Sequence, residues 1–400
     1  MNICLVSREY PTEDHAGGIA TYTEKTATSL AQLGHRVSVI TETIGAASTR
    51  VEGDVLIARL APSARGRLRT VRRSFGVAHA IDRLPFRPDI VQASEYRAEA
   101  IVVAARRRGM KLVTRLATPT FVVQGLNRGS GVGRLRSGAY YDPLERWQTH
   151  RSDGIIAITD ALAEVVCRRW RIPRERVTTI ANSVDFDQRF GALGEPLPGE
   201  LAGREYLLYF GRLEERKGVH ILGEALPAVL TRYPQLHAVF AGDNVLTYRG
   251  QTLQAFVEQH NSAHRDRLHF YPRLPQHRLY PLVKHALLAV LPSLWEGLGN
   301  VSLEALDAGT PVVATLGCGF GEIIEDGKSG VLVAPGDVAA LEAALLSILG
   351  DRARLGSMRA AARERAQRFH PGRMMRELVG FYEQVLGAST ASAAEVPGVA

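Results

Sequence analysis

The chain has 400 residues, too many for one ordinary hydrophobic core and enough for two α/β domains. With 46% hydrophobic and 22% charged residues it is not a disordered polymer, and no stretch approaches the ~20 apolar residues a membrane helix needs. Its 49 basic against 41 acidic residues give a net charge of +8, which favours anionic partners.

The first element is Asn2–Ser7 (NICLVS), a short apolar run like that of a strand buried on both faces. The start MNICLVSREYP has no basic region followed by a long apolar block, so no signal peptide is expected. A loop, REYPTEDHAGGIA, carries Asp14, His15, Gly17 and Gly18 ahead of a helix over Thr21–Leu33, which Gly34 closes before the strand RVSVIT. That is a βαβ unit, and it requires a right-handed crossover. Strand-like runs recur at Asp54–Leu60, Asp89–Gln92, Lys111–Thr114, Gly154–Thr159 and Val177–Ile180, with a helical stretch at Arg97–Arg108. Phe121–Tyr141 is rich in glycine and arginine, lacks periodicity, and reads as a mobile acceptor loop. Arginines crowd at Arg65, Arg67, Arg69, Arg72 and Arg73, and again at Arg106, Arg107 and Arg108. Each group is either a solvated helix face or a patch for an anionic acceptor or an anionic membrane. No aromatic-interleaved basic platform accompanies them, so no nucleic-acid partner is expected. Cys4, Cys167 and Cys318 form no CxxC pair and no disulfide framework, which fits a reduced cytoplasm.

NSVDFDQRFGALGEPLPGELAGRE reads as a linker. A second alternation follows: YLLYFG, a helix over Val219–Tyr233, HAVFAG, LHFY, LLAVLPS, a helix over Val301–Ala308, PVVAT and a helix over Ala339–Leu349. Strand-then-helix order in both halves predicts an α/β chain of two Rossmann-like, doubly wound parallel-sheet domains. The closing STASAAEVPGVA is small and polar, and is expected to be disordered.

The chemistry concentrates in LPSLWEGLGNVSLEALDAGTPVVA. Glu296 lies in the turn after an apolar strand and Glu304 one turn into the next helix. Gly297 and Gly299 let backbone approach a ligand closely. The N–H groups of Leu298, Gly299, Asn300 and Val301 then sit at a helix N-terminus, a natural anion site. One carboxylate can meet sugar hydroxyls and the other a ribose diol, with no metal needed. Read alone, the segment is an ordinary helix cap with two surface glutamates. In YFGRLEERKG, however, a strand ends at Gly211 and places Arg212 and Lys217 in the following loop, where open α/β sheets bind ligands. Two cations there can neutralise a leaving diphosphate, as a divalent ion does in metal-dependent transferases.

GRLEERKG, AGD, LPSLWEGLGNVSLEALDAGTPVVAT and GEIIEDGKSGVLVAPGD together resemble the donor domain of the retaining GT-B glycosyltransferases of family 4. GGIATYTEKTATSLAQLGHRVSVIT and ITDALAE…VTTIANSVDFDQRF resemble the acceptor domain and hinge of the same family. The resemblance covers nearly the whole chain and is specific for fold and reaction class, less so for substrate.

It implies a GT-B fold with two Rossmann-like domains facing a central cleft. Residues 1–195 would bind the acceptor and 200–369 the nucleotide sugar, a helix over about 370–387 would cross back onto the first domain, and 388–400 would be a disordered tail. Arg212 and Lys217 would hold the donor diphosphate, Glu304 the ribose, and Glu296 the transferred sugar beneath its anomeric carbon. The amides of Leu298 to Val301 would touch sugar and phosphate, and the backbone near Arg273 and Leu274 would read the base edge. Gly17 and Gly18 would approach the diphosphate on domain closure, while Asp14 and His15 could face the acceptor. In SEYRAEA, Glu95 follows a strand and resembles a sugar- or acceptor-facing residue. In KLVTRLATPTFVV the sequence departs from its relatives, many of which show Arg-Leu-His-Thr-Pro where this chain has Ala117. Alanine neither hydrogen-bonds nor relays a proton. The position is engineered, or the natural enzyme manages without histidine, or transfer has been lost; the sequence does not choose.

The expected activity is retaining, metal-independent transfer of a hexose or N-acetylhexosamine from a nucleotide diphosphate sugar, UDP-linked first, to an acceptor hydroxyl. The nucleotide sugar is a substrate and no cofactor is expected. The setting would be cytoplasmic, with peripheral contact to the inner membrane face through the arginine patch. A catalytically impaired nucleotide-sugar binder and a nucleotide-sugar 2-epimerase are the alternatives.

Overall fold

The computed structural model describes residues 1–11, 18–43, 45–62, 69–106, 109–126, 132–191, 196–245 and 247–394. The chain groups into two compact units, one of Met1–Asn182 with Pro371–Ala400 and the other of Ser183–His370.

Unit 1 is built on eight strands: β1 (Asn2–Val6), β2 (Arg36–Glu42), β3 (Ser48–Glu52), β4 (Val55–Leu60), β5 (Ile90–Ser94), β6 (Lys111–Leu116), β7 (Gly154–Ala157) and β8 (Val177–Thr179). Their order is β3-β4-β2-β1-β5-β6-β7-β8, parallel except for the outer pair β3 and β4. Helices α1 (Gly18–Gln32), α2 (Arg69–Asp82), α3 (Ile101–Arg106), α4 (Thr120–Leu126), α5 (Val132–His150) and α6 (Asp160–Trp170) alternate with them. Along β1, Ile3 and Leu5 enter one apolar cluster with Leu30 of α1, while Cys4 and Val6 enter another with Val77 and Ile81 of α2. A strand covered on both faces must be apolar throughout, which is why NICLV shows no polar alternation. Strand order reverses between β1 and β5, so the loops after these two strands open side by side at the carboxyl edge.

Unit 2 contains α7 (Phe186–Phe190), β9 (Glu205–Phe210), α8 (Val219–Arg232), β10 (Leu236–Ala241) and a short ribbon of β11 (Thr247–Tyr248) and β12 (Gln251–Thr252). It continues with α9 (Leu253–His260), β13 (Leu268–Tyr271), α10 (Gln276–His285), β14 (Leu288–Leu291) and α11 (Asn300–Asp307). β15 (Val312–Thr315), α12 (Phe320–Ile323), β16 (Gly330–Val333), α13 (Val338–Leu349) and α14 (Arg352–Ala366) complete it. The sheet β13-β10-β9-β14-β15-β16 is wholly parallel, and its order reverses between β9 and β14.

The final helix, α15 (Pro371–Ala394), belongs to unit 1. Met374, Leu378, Phe381, Tyr382 and Val385 lie on one helical face and enter the cluster that holds Ile3 and Leu5. Tyr382 donates its hydroxyl proton to Gln92 Oε1 at 2.9 Å, tying the helix to β5.

Three expectations are corrected. The boundary does not fall near 195, because Ser183 already begins unit 2. Val184 N–H donates to Phe369 O at 2.9 Å, and Phe186 packs edge-on against Tyr280 at 5.2 Å, so the supposed linker is anchored and partly helical. Phe121–Tyr141 is not a continuous loop, since α4 and α5 occupy 120–126 and 132–150, with 127–131 outside the described residues. Its missing apolar period hid two helices. Finally, α15 runs to Ala394, past the point where a tail was expected to begin, and 395–400 lie outside the described residues.

Candidate active site

In unit 2 the loops after β9 and β14 meet at the point where strand order reverses. Gly218 makes their approach feasible. Its φ is +69°, and a Cβ there would lie 1.8 Å from the carbonyl oxygen of Pro292, so no side chain fits between the loops. Leu294 N–H then donates to Arg216 O at 2.8 Å, fastening one loop to the other.

This approach brings Lys217 onto Glu296. Lys217 Nζ donates to Glu296 Oε1, Ser293 Oγ donates to the same oxygen at 3.2 Å, and Arg216 Nη1 reaches it at 3.4 Å. All hydrogen bonds to this carboxylate among the described residues land on Oε1 and none on Oε2. Burial alone pushes the Glu296 carboxyl up, but Lys217 and then Arg216 outweigh it and hold the group below the usual carboxylate range. Arg216 Nη2 also donates to Glu214 Oε1 at 2.8 Å, and Arg212 Nη2 approaches that oxygen at 3.2 Å. The result is an alternating chain of charges: Arg212, Glu214, Arg216, Glu296, Lys217. Only its Arg212 end is open to solvent, for that side chain is 59% exposed, against 11% for Arg216 and 16% for Lys217. Tyr209 braces the turn by donating to Arg212 O at 2.6 Å.

Beyond Glu296, Gly299 caps α11, so the backbone of Leu298, Gly299, Asn300 and Val301 enters that helix beside the carboxylate, with the Leu298 side chain buried. Glu304 lies half-buried on the same helix. Gly211 leads out of β9, its N–H donating to Ala241 O at 2.9 Å. Arg273 and Leu274 follow β13, and Arg273 N–H donates to Asp243 Oδ1 at 2.9 Å, so this segment edges the same carboxyl end. Among the described residues no group of three or more His, Cys, Asp or Glu is arranged to hold a metal.

Unit 1 carries a different constellation at its own reversal. Glu95 is fully buried, and its carboxylate accepts N–H bonds from Ala117 at 2.9–3.0 Å and Thr118 at 2.7 Å, and the Ser94 hydroxyl at 2.9 Å. Glu145 of α5, also fully buried, accepts from the backbone of Arg97 at 2.8 Å and Thr120 at 2.9 Å, and from the Thr120 hydroxyl. Burial first, and Glu145 second, push the Glu95 carboxyl up to about 7. Glu95, expected on the acceptor or sugar side, is buried against the protein itself. Its oxygens are engaged by the loop that contains Ala117. Gly18 opens α1, while Asp14, His15 and Gly17 lie outside the described residues.

Residues 198–369 match the family described as glycosyl transferases group 1, and residues 16–188 match glycosyltransferase family 4. The glycogen synthase of Mycobacterium tuberculosis is 30% identical over 390 residues, covering 91% of this chain and 90% of that protein. The chain belongs to the family 4 glycosyltransferases. Among solved structures, sucrose-phosphate synthase from Thermosynechococcus elongatus superposes with a TM-score of 0.75 at 21% identity, over 97% of this chain and 99% of that one. The HepE protein of Anabaena, in complex with UDP and glucose, gives 0.69 at 19% identity over 96% and 100%. The fold of this glycosyltransferase is accordingly GT-B.

Several members of the network escaped the sequence reading. Arg216 stands in the same ERKG run as Lys217, and the run of charges in GRLEERKG was the available signal. Glu214 gave no sign that it is buried. Glu145 sits mid-helix in a stretch without motif or periodicity, and only the fold brings it to Arg97, Thr120 and Glu95. The arginine patch is also revised. Arg73 is buried and pairs with Glu99 at 3.0 Å and Glu42 at 3.2 Å, and Arg106 pairs with Asp82 at 3.3 Å. Arg65, Arg67, Arg107 and Arg108 lie outside the described residues.

Proposed function

We propose that this family 4 glycosyltransferase moves a hexose or N-acetylhexosamine, with retention and without a metal, from a UDP-linked donor to an acceptor hydroxyl. The observation that carries the reading is the contact of Lys217 with Glu296 at the sheet's reversal point. Glu296 Oε2 is the oxygen left to accept a sugar hydroxyl, because the donors among the described residues all converge on Oε1. Lys217 and Arg212 take the two phosphates, Glu304 the ribose, the amides at the start of α11 the sugar and phosphate, and the segment at Arg273–Leu274 the base. As the glycosidic bond breaks, negative charge grows on the leaving diphosphate, and the two cations lower the barrier by meeting it there. The leaving phosphate itself takes the acceptor's proton on the same face, so no dedicated protein base is needed. The likeness to a structure that holds UDP and glucose supports a UDP-linked donor.

Incubation with a panel of nucleotide sugars, followed by NMR of donor and product, tests the reading. UDP-hexose turnover that survives EDTA and keeps the anomeric configuration is the expected result. Inversion, or loss of activity with EDTA, overturns it. A second reading, a binder with impaired transfer, draws on Ala117. Donor binding with neither transfer nor slow donor hydrolysis, together with turnover regained by Ala117→His, would favour that alternative. The cytoplasmic setting and the contact with an anionic membrane belong to the same proposal, though Arg73 takes no part in any surface.

A further inference from the structure

We propose that Arg216 is a positioning residue, the standing counter-ion that keeps Glu296 charged and aimed after the donor's diphosphate draws Lys217 away. This rests on the donor-site reading above.

Two cations touch Glu296, and they are not equivalent. Lys217 is a point charge on a flexible stem with one ionic contact, so a phosphate oxygen can replace the carboxylate at little cost. Arg216 is a planar fork with both ends engaged: Nη2 on Glu214, Nη1 on Glu296 and on the Trp295 carbonyl at 3.3 Å. Its backbone carbonyl accepts from Leu294, so main chain and side chain both grip the loop that carries Glu296. Swinging toward a ligand would strand Glu214, which is 3% exposed, as a buried carboxylate without its closest cation. The geometry assigns Lys217 to the ligand and Arg216 to the protein.

The division has a chemical purpose. A diphosphate beside Glu296 adds negative charge next to a buried carboxylate, and the two repel unless a cation stays between them. Without one, Glu296 would take up a proton, and its hydroxyl would replace the acceptor oxygen that a sugar hydroxyl needs. Among the described residues, the other ionisable groups that interact with it are Tyr209 from β9 and Cys318 from the loop after β15. Burial pushes both upward, so neither supplies or removes charge near neutral pH.

Calorimetry of UDP-glucose binding at about pH 6, in two buffers of different ionisation enthalpy, counts the protons exchanged. UDP-glucose has no group that titrates near this pH, so any proton taken up belongs to the protein. The unsubstituted protein and Arg216→Lys should bind without uptake. Arg216→Gln should bind with a measurable fraction of a proton taken up, and its kcat should fall roughly tenfold with a smaller change in KM. The double variant Arg216→Gln/Glu296→Gln should take up none. Proton-neutral binding by Arg216→Gln, or uptake that persists in the double variant, overturns the assignment while leaving the donor reading intact. Failure of the unsubstituted protein to bind UDP itself, the part common to every UDP-linked donor, overturns the donor reading, and this assignment with it.

Discussion

Glu296 in unit 2 and Glu95 in unit 1 occupy comparable places. Each follows the strand beside the reversal of its sheet, β14 in one case and β5 in the other, and each is buried. Their surroundings are opposite. Lys217 and Arg216 meet Glu296 and hold it ionised, whereas backbone N–H groups meet Glu95 and a second carboxylate faces it. The fold thus fixes where a carboxylate stands, and the loops decide its charge. A carboxylate compensated by side-chain cations is available to a ligand, and one saturated by the backbone serves to shape a loop.

The sharpest test of this contrast removes a charge from the unit 2 chain. Arg212→Ala should lower transfer by ~100-fold or more, as expected when a group that meets transition-state charge is lost. Glu296→Gln should lower it too, by removing the charged acceptor of a sugar hydroxyl. Initial rates with the best donor measure it. A loss below threefold for Arg212→Ala would remove that residue from the diphosphate.

Next in size is the backbone contact that brings the unit 2 loops together. Gly218→Ala forces a Cβ into the Pro292 carbonyl, and urea unfolding should show a loss on the order of 2–4 kcal/mol. Gly34 in unit 1 is the control. Its φ is +83°, and a Cβ added there would meet nothing within 4 Å. Gly34→Ala should therefore cost only the strain of a left-handed alanine, about 1 kcal/mol. Equal losses at the two positions would mean that the loops of unit 2 part easily.

How far the sequence reached follows the same division. Strand-like runs such as NICLV, and glycine stops such as Gly34, express local rules, and they placed the sheets in both units. The loop after β9 was legible because its cations cluster in one short run. The contact of Lys217 with Glu296 joins loops far apart in sequence, so it needed the strand order. Glu145 carried no local signal at all, since a lone glutamate on a helix of mixed polarity looks solvated until the fold buries it. The boundary near 195 failed for a related reason: glycine and proline announce an irregular path, while the burial of Phe186 depends on partners elsewhere in unit 2.

A third test uses the sign of the two carboxylate shifts. The Glu95 carboxyl is raised from 4.5 to about 7 in the folded protein, so between those values the folded state binds the extra proton. Its stabilising contribution is present below the lower value and lost as pH rises through the upper one. Thermal unfolding of the unsubstituted protein, compared with Glu95→Gln, should move against the unsubstituted protein by roughly 3 kcal/mol across that window. Glu296 is shifted downward, so its contribution is present above the ordinary carboxylate range and lost as pH falls. Glu296→Gln should therefore give a difference curve of opposite slope. Parallel curves would mean that the two carboxylates are not held in opposite ways.

The smallest effect is expected at Ala117. Its N–H and that of Thr118 are fixed by Glu95, so the path of the loop does not depend on the side chain at 117, which is only half-buried. Ala117→His should accordingly change stability by no more than ~0.5 kcal/mol, the usual range for a substitution away from the core. If the charge chain of unit 2 is sufficient for transfer, the rate should change by less than about threefold as well, because the barrier is lowered where negative charge grows. A large gain in rate at unchanged stability would assign unit 1 a chemical part in transfer. A large loss of stability would show instead that the loop is shaped by its side chain, and that the backbone bonds to Glu95 are a consequence of that shape.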